Sequence, residues 1–343
     1  MEFDIGLYSY RNRNGGHDEK ESCANYRLGG VAMMPVLEVR QLAICFTEYT
    51  SGLQQQQIQV IEGLDLTVDR GKITAVIGAS GSGKSLLAHA ILGILPEHAE
   101  MSGTILYEGK PLDARKQLAL RGKEIVLIPQ SVEYLDPTMR AGCQVRYAAG
   151  GKRREAADKQ RQAFERYHLG THVERLYPFE LSGGMARRVL NAAATVKGAA
   201  KLIIADEPTP GLPQQDVQEA LQQLRAMADD GCAVLLITHD IEAALVVADQ
   251  VAVFYAGMAV EVACREDFVG DGHLLRHPYT KALWRALPQN GFEPIPGVQP
   301  QPGERPIGCL FAARCAIATE LCNMARPGVS SIRGGIVRCI HAT

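Results

Sequence analysis

Apolar and polar positions alternate through residues 36–46 and again through 57–68. A period of two puts one set of side chains on one face, so the pattern predicts two antiparallel strands, with the run 54–57 as the loop between them. The texture then changes to short, nearly continuous apolar runs at 73–77, 125–128, 202–205 and 233–237. Runs of that kind, separated by stretches of helical period, predict strands of a parallel sheet covered on both faces, an α/β fold. The first run is followed by a glycine-rich turn and a helix expected over 84–95. Between 128 and 202 the polar, basic, helix-prone segment 150–173 reads as a subdomain protruding from the sheet. Its Lys152-Arg153-Arg154 run reads as a solvated helix face, the alternative being a contact with phosphate or a partner.

The two ends look different. Residues 1–34 are polar and irregular, broken by Asn14-Gly15-Gly16 and Gly29-Gly30, and read as an extension without a core; either methionine of Met33-Met34 could serve as the start. From about Asp271 the chain is rich in Pro and Gly, and is expected to form a small separate module. The expected organisation is therefore an extension at 1–34, a main domain at 35–270 with its helical subdomain near 131–185, and a C-terminal module at 271–343.

The length of 343 residues suits about two domains. Lys and Arg total 36 and Asp and Glu 38, a net charge of −2, which gives no global electrostatic case for nucleic acid or an anionic bilayer. No apolar stretch reaches the roughly 18 residues of a membrane span. The first residues, with Glu2 and Asp4, make no signal peptide, so the protein is expected to stay in the cytoplasm. Nine cysteines, an odd number without export features, argue against a disulfide framework. Five are scattered, whereas Cys309, Cys315, Cys322 and Cys339 fall together in the tail.

Gly78-Ala79-Ser80-Gly81-Ser82-Gly83-Lys84-Ser85 matches G-x-x-x-x-G-K-[ST] between an expected strand and an expected helix. Backbone that must curl around phosphate oxygens needs positions without a Cβ, and successive amides at a helix N-terminus then point at the anion. Lys84 is expected to reach the β- and γ-phosphates and the Ser85 hydroxyl to ligate Mg²⁺. Downstream, the apolar run 202–205 ends in Asp206-Glu207. Side chains alternate along a strand, so the two acids can do different work: Asp206 in the magnesium shell, Glu207 polarising the attacking water as general base.

Leu181-Ser182-Gly183-Gly184 resembles the signature of ATP-binding-cassette (ABC) ATPases, and its companions stand in that family's order: the phosphate loop, Gln130, the signature, Asp206-Glu207, His239. The resemblance implies a P-loop ABC ATPase fold: a parallel-sheet core with an antiparallel β subdomain and a helical subdomain. It implies that Gln130 contacts the metal and senses the membrane partner, that His239 contacts the γ-phosphate, and that an aromatic residue stacks on adenine, with Phe46 the first candidate and Tyr49 the second. It also implies that Ser182, Gly183 and Gly184 face the γ-phosphate bound on an opposing subunit, so that ATP joins two cassettes and hydrolysis releases them.

Two positions depart from the family pattern. Met185 stands where Gln is usual, and the residue after Pro210-Gly211-Leu212 is Pro213, where the family has an Asp that communicates between the sites. The second departure bears on coupling between sites, not on nucleotide binding.

The tail motifs His277-Pro278-Tyr279-Thr280, Ile295-Pro296-Gly297 and Gly308-Cys309 through Cys339 resemble the C-terminal module of oligopeptide, dipeptide and nickel importer ATPases. So do Tyr177-Pro178-Phe179-Glu180 and Leu135-Asp136-Pro137. The four tail thiols, with gaps of five, six and sixteen residues and no C-x-x-C pair, fit a zinc finger poorly. The resemblance implies a [4Fe–4S] cluster on Cys309, Cys315, Cys322 and Cys339; zinc or another metal, and plain core thiols, are the alternatives.

The resemblance as a whole implies the ATPase subunit of a bacterial importer, peripheral on the cytoplasmic face of the inner membrane. Its partners would be a homologous ATPase in a heterodimer, two transmembrane permease subunits and a periplasmic solute-binding protein, with no nucleic acid. Peptides, or nickel and other metal chelates, would be the cargo. The rivals are a cassette that binds ATP but hydrolyses it weakly or not at all, motivated by Met185 and Pro213, and a non-transport ABC ATPase.

Overall fold

The computed structural model describes residues 34–49 and 55–342, so the expected N-terminal extension lies, apart from Met34, outside the described residues. The two alternating segments form long strands, β1 (Leu37–Tyr49) and β2 (Gln55–Val68), paired antiparallel from Leu37 opposite Val68 outward. Gln55, Gln56 and Gln57 belong to β2, where the sequence suggested a loop. Their side chains are exposed, so no apolar period marks them; the ladder to Tyr49, Glu48 and Thr47 makes them strand.

β3 (Ile73–Gly78), buried throughout, leads through the phosphate loop into α1 (Lys84–Leu92). The helix stops short of residue 95 because Gly93 turns left-handed at φ 64°, returning its N–H to Ala90 O while the Ile94 N–H reaches His89 O. A Cβ at that position would collide with the Gln117 side chain. β4 (Ala99–Tyr107) and the short β5 (Lys110–Pro111) complete a four-stranded antiparallel sheet in the order β2-β1-β4-β5. Only the last three residues of β4 are buried, which is why it left little apolar signal.

After α2 (Ala114–Leu120), capped by the Asp113 carboxylate accepting from the Lys116 N–H at 2.8 Å, comes β6 (Ile125–Ile128). The bundle α3 (Ala141–Ala149), α4 (Arg153–Arg166) and α5 (Gly183–Thr195) then packs around its own core of Val145, Phe164, Tyr167 and Val189. Lys152, Arg153 and Arg154 are exposed at the start of α4. The chain returns through β7 (Leu202–Asp206), α6 (Gln214–Asp229), β8 (Ala233–Thr238), α7 (Ile241–Val247), β9 (Gln250–Tyr255) and β10 (Met258–Cys264). The pair β9–β10 reads in sequence as one apolar stretch; the two-residue Ala256-Gly257 turn, with positive φ at both positions, folds it into a hairpin.

α8 (Pro278–Arg285), α9 (Leu321–Met324), β11 (Ser330–Ile332) and β12 (Gly335–Val337) follow. The second sheet runs β11-β12-β10-β9-β3-β8-β7-β6, parallel from β9 to β6 and antiparallel beyond. The expectation of a separate C-terminal module is corrected here: β12 pairs with β10, and Tyr279, Trp284, Leu310 and Phe311 share one core with Val251, Val253 and Tyr255 of the main sheet. The tail has too few apolar residues for a core of its own and completes that of the cassette. Among the described residues no helix is long and apolar enough to cross a membrane.

A buried ion pair fastens this junction. The side chains of Arg276 and Glu261 are 1% and 0% exposed and lie 3.3 Å apart. Glu261 also accepts from the Arg276 and His277 backbone amides, each at 2.8 Å. Arg276 in turn donates to Asp267 Oδ2 at 2.8 Å, Ile332 O at 2.6 Å and Arg333 O at 2.7 Å. Removing one partner strands the other charge without solvent, so Arg276→Ala is expected to lower unfolding free energy by about 3–5 kcal/mol. A urea melt monitored by circular dichroism checks this; a loss below about 1 kcal/mol would show that the pair is dispensable.

Candidate active site

The phosphate loop follows β3, whose parallel neighbours β8 and β9 hold it at the centre of the sheet. At Gly78 a Cβ would lie 2.5 Å from Phe254 O, so the close approach of β9 is what requires glycine there. Gly78 to Ser85, with the exception of Ser82, line a cavity of about 660 Å³ together with Gln130, Glu207 and His239. Ser82 is turned inward, 1% exposed, its hydroxyl without a hydrogen-bond partner among the described residues. The Lys84 ammonium donates to Gly78 O at 2.8 Å and Ala79 O at 3.0 Å. Burial pulls its pKa below that of an ordinary lysine, against the field of Glu207 and Asp206.

The two acids diverge because Asp206 is the last residue of β7 and Glu207 has already left the strand. Asp206 Oδ1 accepts from the Ser85 hydroxyl at 3.2 Å, which joins the two groups expected to hold magnesium. Burial raises the Asp206 pKa, opposed by that hydrogen bond. Glu207 adopts a left-handed φ of 46°, unusual for a side chain with a Cβ, and its N–H donates to Ile237 O at 2.8 Å. Its carboxylate therefore faces the adjacent strand end, where both oxygens lie 2.9 Å from His239 Nδ1. Glu207 is 8% exposed and His239 60%. Among the described residues no three or more His, Cys, Asp or Glu side chains could hold a metal ion by themselves. The Ser85 hydroxyl beside the Asp206 carboxylate is a hard-oxygen pair of the kind magnesium takes, with phosphate oxygens and water completing its octahedron.

Leu181, Ser182, Gly183 and Gly184 do not line this cavity. Ser182 caps α5, its hydroxyl accepting from the Met185 N–H at 3.3 Å, with Ser182 and Gly183 exposed. Pro213 stands at the N-terminal cap of α6 without a side-chain bond. Phe46 is not brought to the cavity either: its ring tilts against His98 at 5.4 Å and packs on the core of the antiparallel sheet. The Tyr49 side chain lies outside the described residues.

Sequence reasoning missed five wall residues, Val60 on β2, Leu86 on α1, Ile241 on α7, and Tyr279 and Leu283 on α8. Nothing in the phosphate-binding motifs points to them; His277-Pro278-Tyr279-Thr280 was the one signal, read as a tail motif. His277 starts that helix by accepting the Tyr279 N–H on Nδ1 at 3.0 Å, and full burial drives its pKa down to about 3, keeping it the neutral acceptor the cap needs. Tyr279 rests on Tyr255 at 4.5 Å and Phe311 at 5.3 Å. Desolvation pushes its phenol up to about 12, while the Ala79 backbone amide acts on it as a hydrogen-bond donor.

Behind Phe311, Cys309, Cys315, Cys322 and Cys339 line one small cavity with His277 and His341. The four thiols of the tail therefore border one cavity. Burial raises the pKa of Cys309, Cys315 and Cys339, and neighbouring thiols raise each further. The donor set suits a soft metal or cluster in type, but the side chains are not drawn together as a ligand shell.

A phosphate loop at the heart of a parallel sheet, beside an antiparallel sheet and a helical bundle, defines an ATP-binding cassette. Solved structures bear out this fold. An ATP-binding cassette dimer in a post-hydrolysis state with ADP and phosphate matches at TM-score 0.58 and 21% identity, covering 67% of this chain and 98% of that one. The cbiO1 cassette of Clostridium perfringens, part of a cbiONQ complex, matches at TM-score 0.56 and 27% identity over 68% and 90%. The ABC transporter profile matches residues 61–210, and the profile of the oligopeptide/dipeptide transporter C-terminal region matches 260–322. The probable D,D-dipeptide transport ATP-binding protein of Escherichia coli is 36% identical over 84% of this chain and 91% of its own length. The oligopeptide transport ATP-binding protein OppD of Bacillus subtilis is 35% identical over 83% of each. This chain belongs to the ABC transporter ATP-binding family and is an ATPase of that family, with ATP and Mg²⁺ as its nucleotide and metal.

Tyr279→Phe keeps the ring packing and removes only the hydroxyl beside Ala79. It is expected to weaken ATP binding about threefold with an unchanged melting temperature, measured by titration calorimetry and thermal melts. Unchanged affinity would leave Tyr279 as a wall of the cavity without a part in holding nucleotide.

Proposed function

We propose that this chain is the ATPase subunit of a bacterial peptide importer, acting at the cytoplasmic face of the inner membrane on two separate permease subunits. A homologous ATPase would complete the pair, and a periplasmic binding protein would deliver the peptide. The observation that carries the catalytic part is the Glu207–His239 contact at 2.9 Å, set across the cavity from Lys84 and the Ser85–Asp206 pair. The relatives support the cargo: they are dipeptide or oligopeptide transport ATP-binding proteins.

In this reading Gly78 to Ser85 cradle the phosphates through backbone amides, and the Lys84 ammonium leaves its loop carbonyls for the β- and γ-phosphate oxygens. Ser85, Asp206 and Gln130 would hold magnesium, which would supply positive charge against the phosphate oxygens during hydrolysis. Glu207 takes a proton from the attacking water, and its bond to His239 aims both groups at the γ-phosphate. Leu181 to Gly184 present a capped helix start on a different surface, fitted to nucleotide on the opposing cassette. The exposed Tyr147, beside Met139 and Arg146 at a cavity of about 570 Å³ on the helical bundle, suits a permease contact. Adenine stacking is assigned to neither Phe46 nor Tyr49.

Pro213 and Met185 favour a second reading, a cassette that binds ATP and leaves hydrolysis to its partner. Glu207→Gln separates the two. A hydrolysing site is expected to lose turnover by about 10²–10³-fold while keeping ATP affinity, whereas unchanged turnover of the assembled complex would favour the second reading. ATPase stimulation in that complex, with its binding protein, by a peptide panel against nickel with and without chelators decides the cargo. Stimulation by metal chelates alone would replace peptide with nickel.

The convergence of Cys309, Cys315, Cys322 and Cys339 on one cavity supports a [4Fe–4S] cluster there when it is assembled. Anaerobically purified protein is then expected to carry about four iron and four acid-labile sulfide per chain, lost in Cys315→Ser. Stoichiometric zinc would assign the site to that metal, and four freely titrating thiols would make them core side chains.

A further inference from the structure

Arg187 sits one turn into α5, beyond the signature, and turns inward: the residue is 5% exposed. Among the described residues it makes no ion pair; the acids of α6 are taken by its neighbour Arg188, 2.7 Å from Asp216 and 3.3 Å from Glu219. The Arg187 guanidinium instead donates Nη1–H to Pro129 O at 2.6 Å and Nη2–H to Gln130 O at 2.5 Å. Two successive carbonyls just past the end of β6 are thus gripped in one planar fork, a geometry that a lysine ammonium does not offer. Burial lowers the pKa of this arginine. A desolvated cation answered only by carbonyls is costly, and its two bonds hold one short piece of backbone in place.

That piece of backbone matters because Gln130 lines the nucleotide cavity, while α5 begins at Gly183 and Gly184, which do not line it. One side chain therefore joins the helix of the signature to the residue that faces this chain's own nucleotide. We propose that Arg187 is a positioning residue for hydrolysis: it fixes the backbone at Gln130 so that the Gln130 amide meets the magnesium–nucleotide, and it makes the helical bundle shift together with that contact. This rests on the role given above to Gln130. A brace serving stability alone would leave the magnesium dependence of turnover untouched.

The test compares full-length Arg187→Met, Arg187→Gln and Gln130→Ala with the unmodified chain. The readouts are melting temperature, magnesium-free ATP affinity, kcat and the magnesium concentration for half-maximal turnover. Arg187→Met is expected to lower kcat about tenfold and raise the magnesium requirement about fivefold, with magnesium-free ATP affinity within about twofold. Arg187→Gln, which restores one donor, is expected to fall between Met and Arg in both. A folded Arg187→Met with kcat and magnesium requirement like the unmodified chain, beside an impaired Gln130→Ala, overturns the proposal for Arg187 alone. An unimpaired Gln130→Ala overturns the role of Gln130, and the proposal with it. If Arg187→Met does not fold, Arg187→Gln decides: a raised magnesium requirement with unmoved ATP affinity supports the proposal, and an unchanged requirement overturns it.

Discussion

The chain after β3 must offer bare backbone to an anion, and the rest of the structure serves that constraint. The loop can curl so tightly only because β3 is flanked on both sides by parallel strands and because β9 leaves no room for a side chain at Gly78. The amides of such a loop call for an anion, while its carbonyls are answered by Lys84, whose ammonium donates to Gly78 O and Ala79 O. The remaining polar groups of the site stand at the ends of neighbouring strands: Asp206 and Glu207 on β7, His239 just past β8, Gln130 just past β6. A sheet with this strand order brings loops distant in sequence to one edge, which is why four separate motifs converge on one cavity.

What could be read in advance follows from the same physics. Strands buried on both faces leave unbroken apolar runs, and 73–77, 125–128, 202–205 and 233–237 all became strands of one sheet. The phosphate loop was legible because its glycines, lysine and serine answer a local requirement. β4 escaped because most of its residues are exposed, and β10 because a tight turn hid it inside a longer apolar stretch. Neither Tyr279 nor Arg187 could be assigned from local pattern, since each matters through a contact made across the fold: Tyr279 with Ala79 and Arg187 with Gln130. Phe46 shows the converse. A plausible aromatic at the end of an alternating strand packed against His98 and the sheet core.

The tail illustrates how composition misleads about independence. Proline and glycine are frequent there, and the segment reads as a module apart, yet its few large apolar residues are spent on the cassette's own core. Glu261 and Arg276 make that attachment specific, because a carboxylate buried on β10 can be answered only by the amides and guanidinium that arrive after residue 275. The consequence reaches the nucleotide. Once Arg276 and His277 are fixed, α8 must start where it does, and Tyr279 and Leu283 fall on the cavity wall while Phe311 separates that wall from the four thiols.

Arg276 and Arg187 are both buried guanidiniums, and the contrast between them separates stability from work. Arg276 is answered by two carboxylates and two carbonyls, an arrangement joining segments that share one sheet and one core. Among the described residues Arg187 is answered by carbonyls alone, between a helix belonging to a bundle with its own core and a loop belonging to the sheet. Hydrogen bonds to carbonyls hold direction without the long-range pull of an ion pair, so such a joint can pass displacement from one body to the other and still be remade after each cycle. In the proposed function such a joint would link the Gln130 loop to the signature helix, and Arg187 is the side chain that bridges the two.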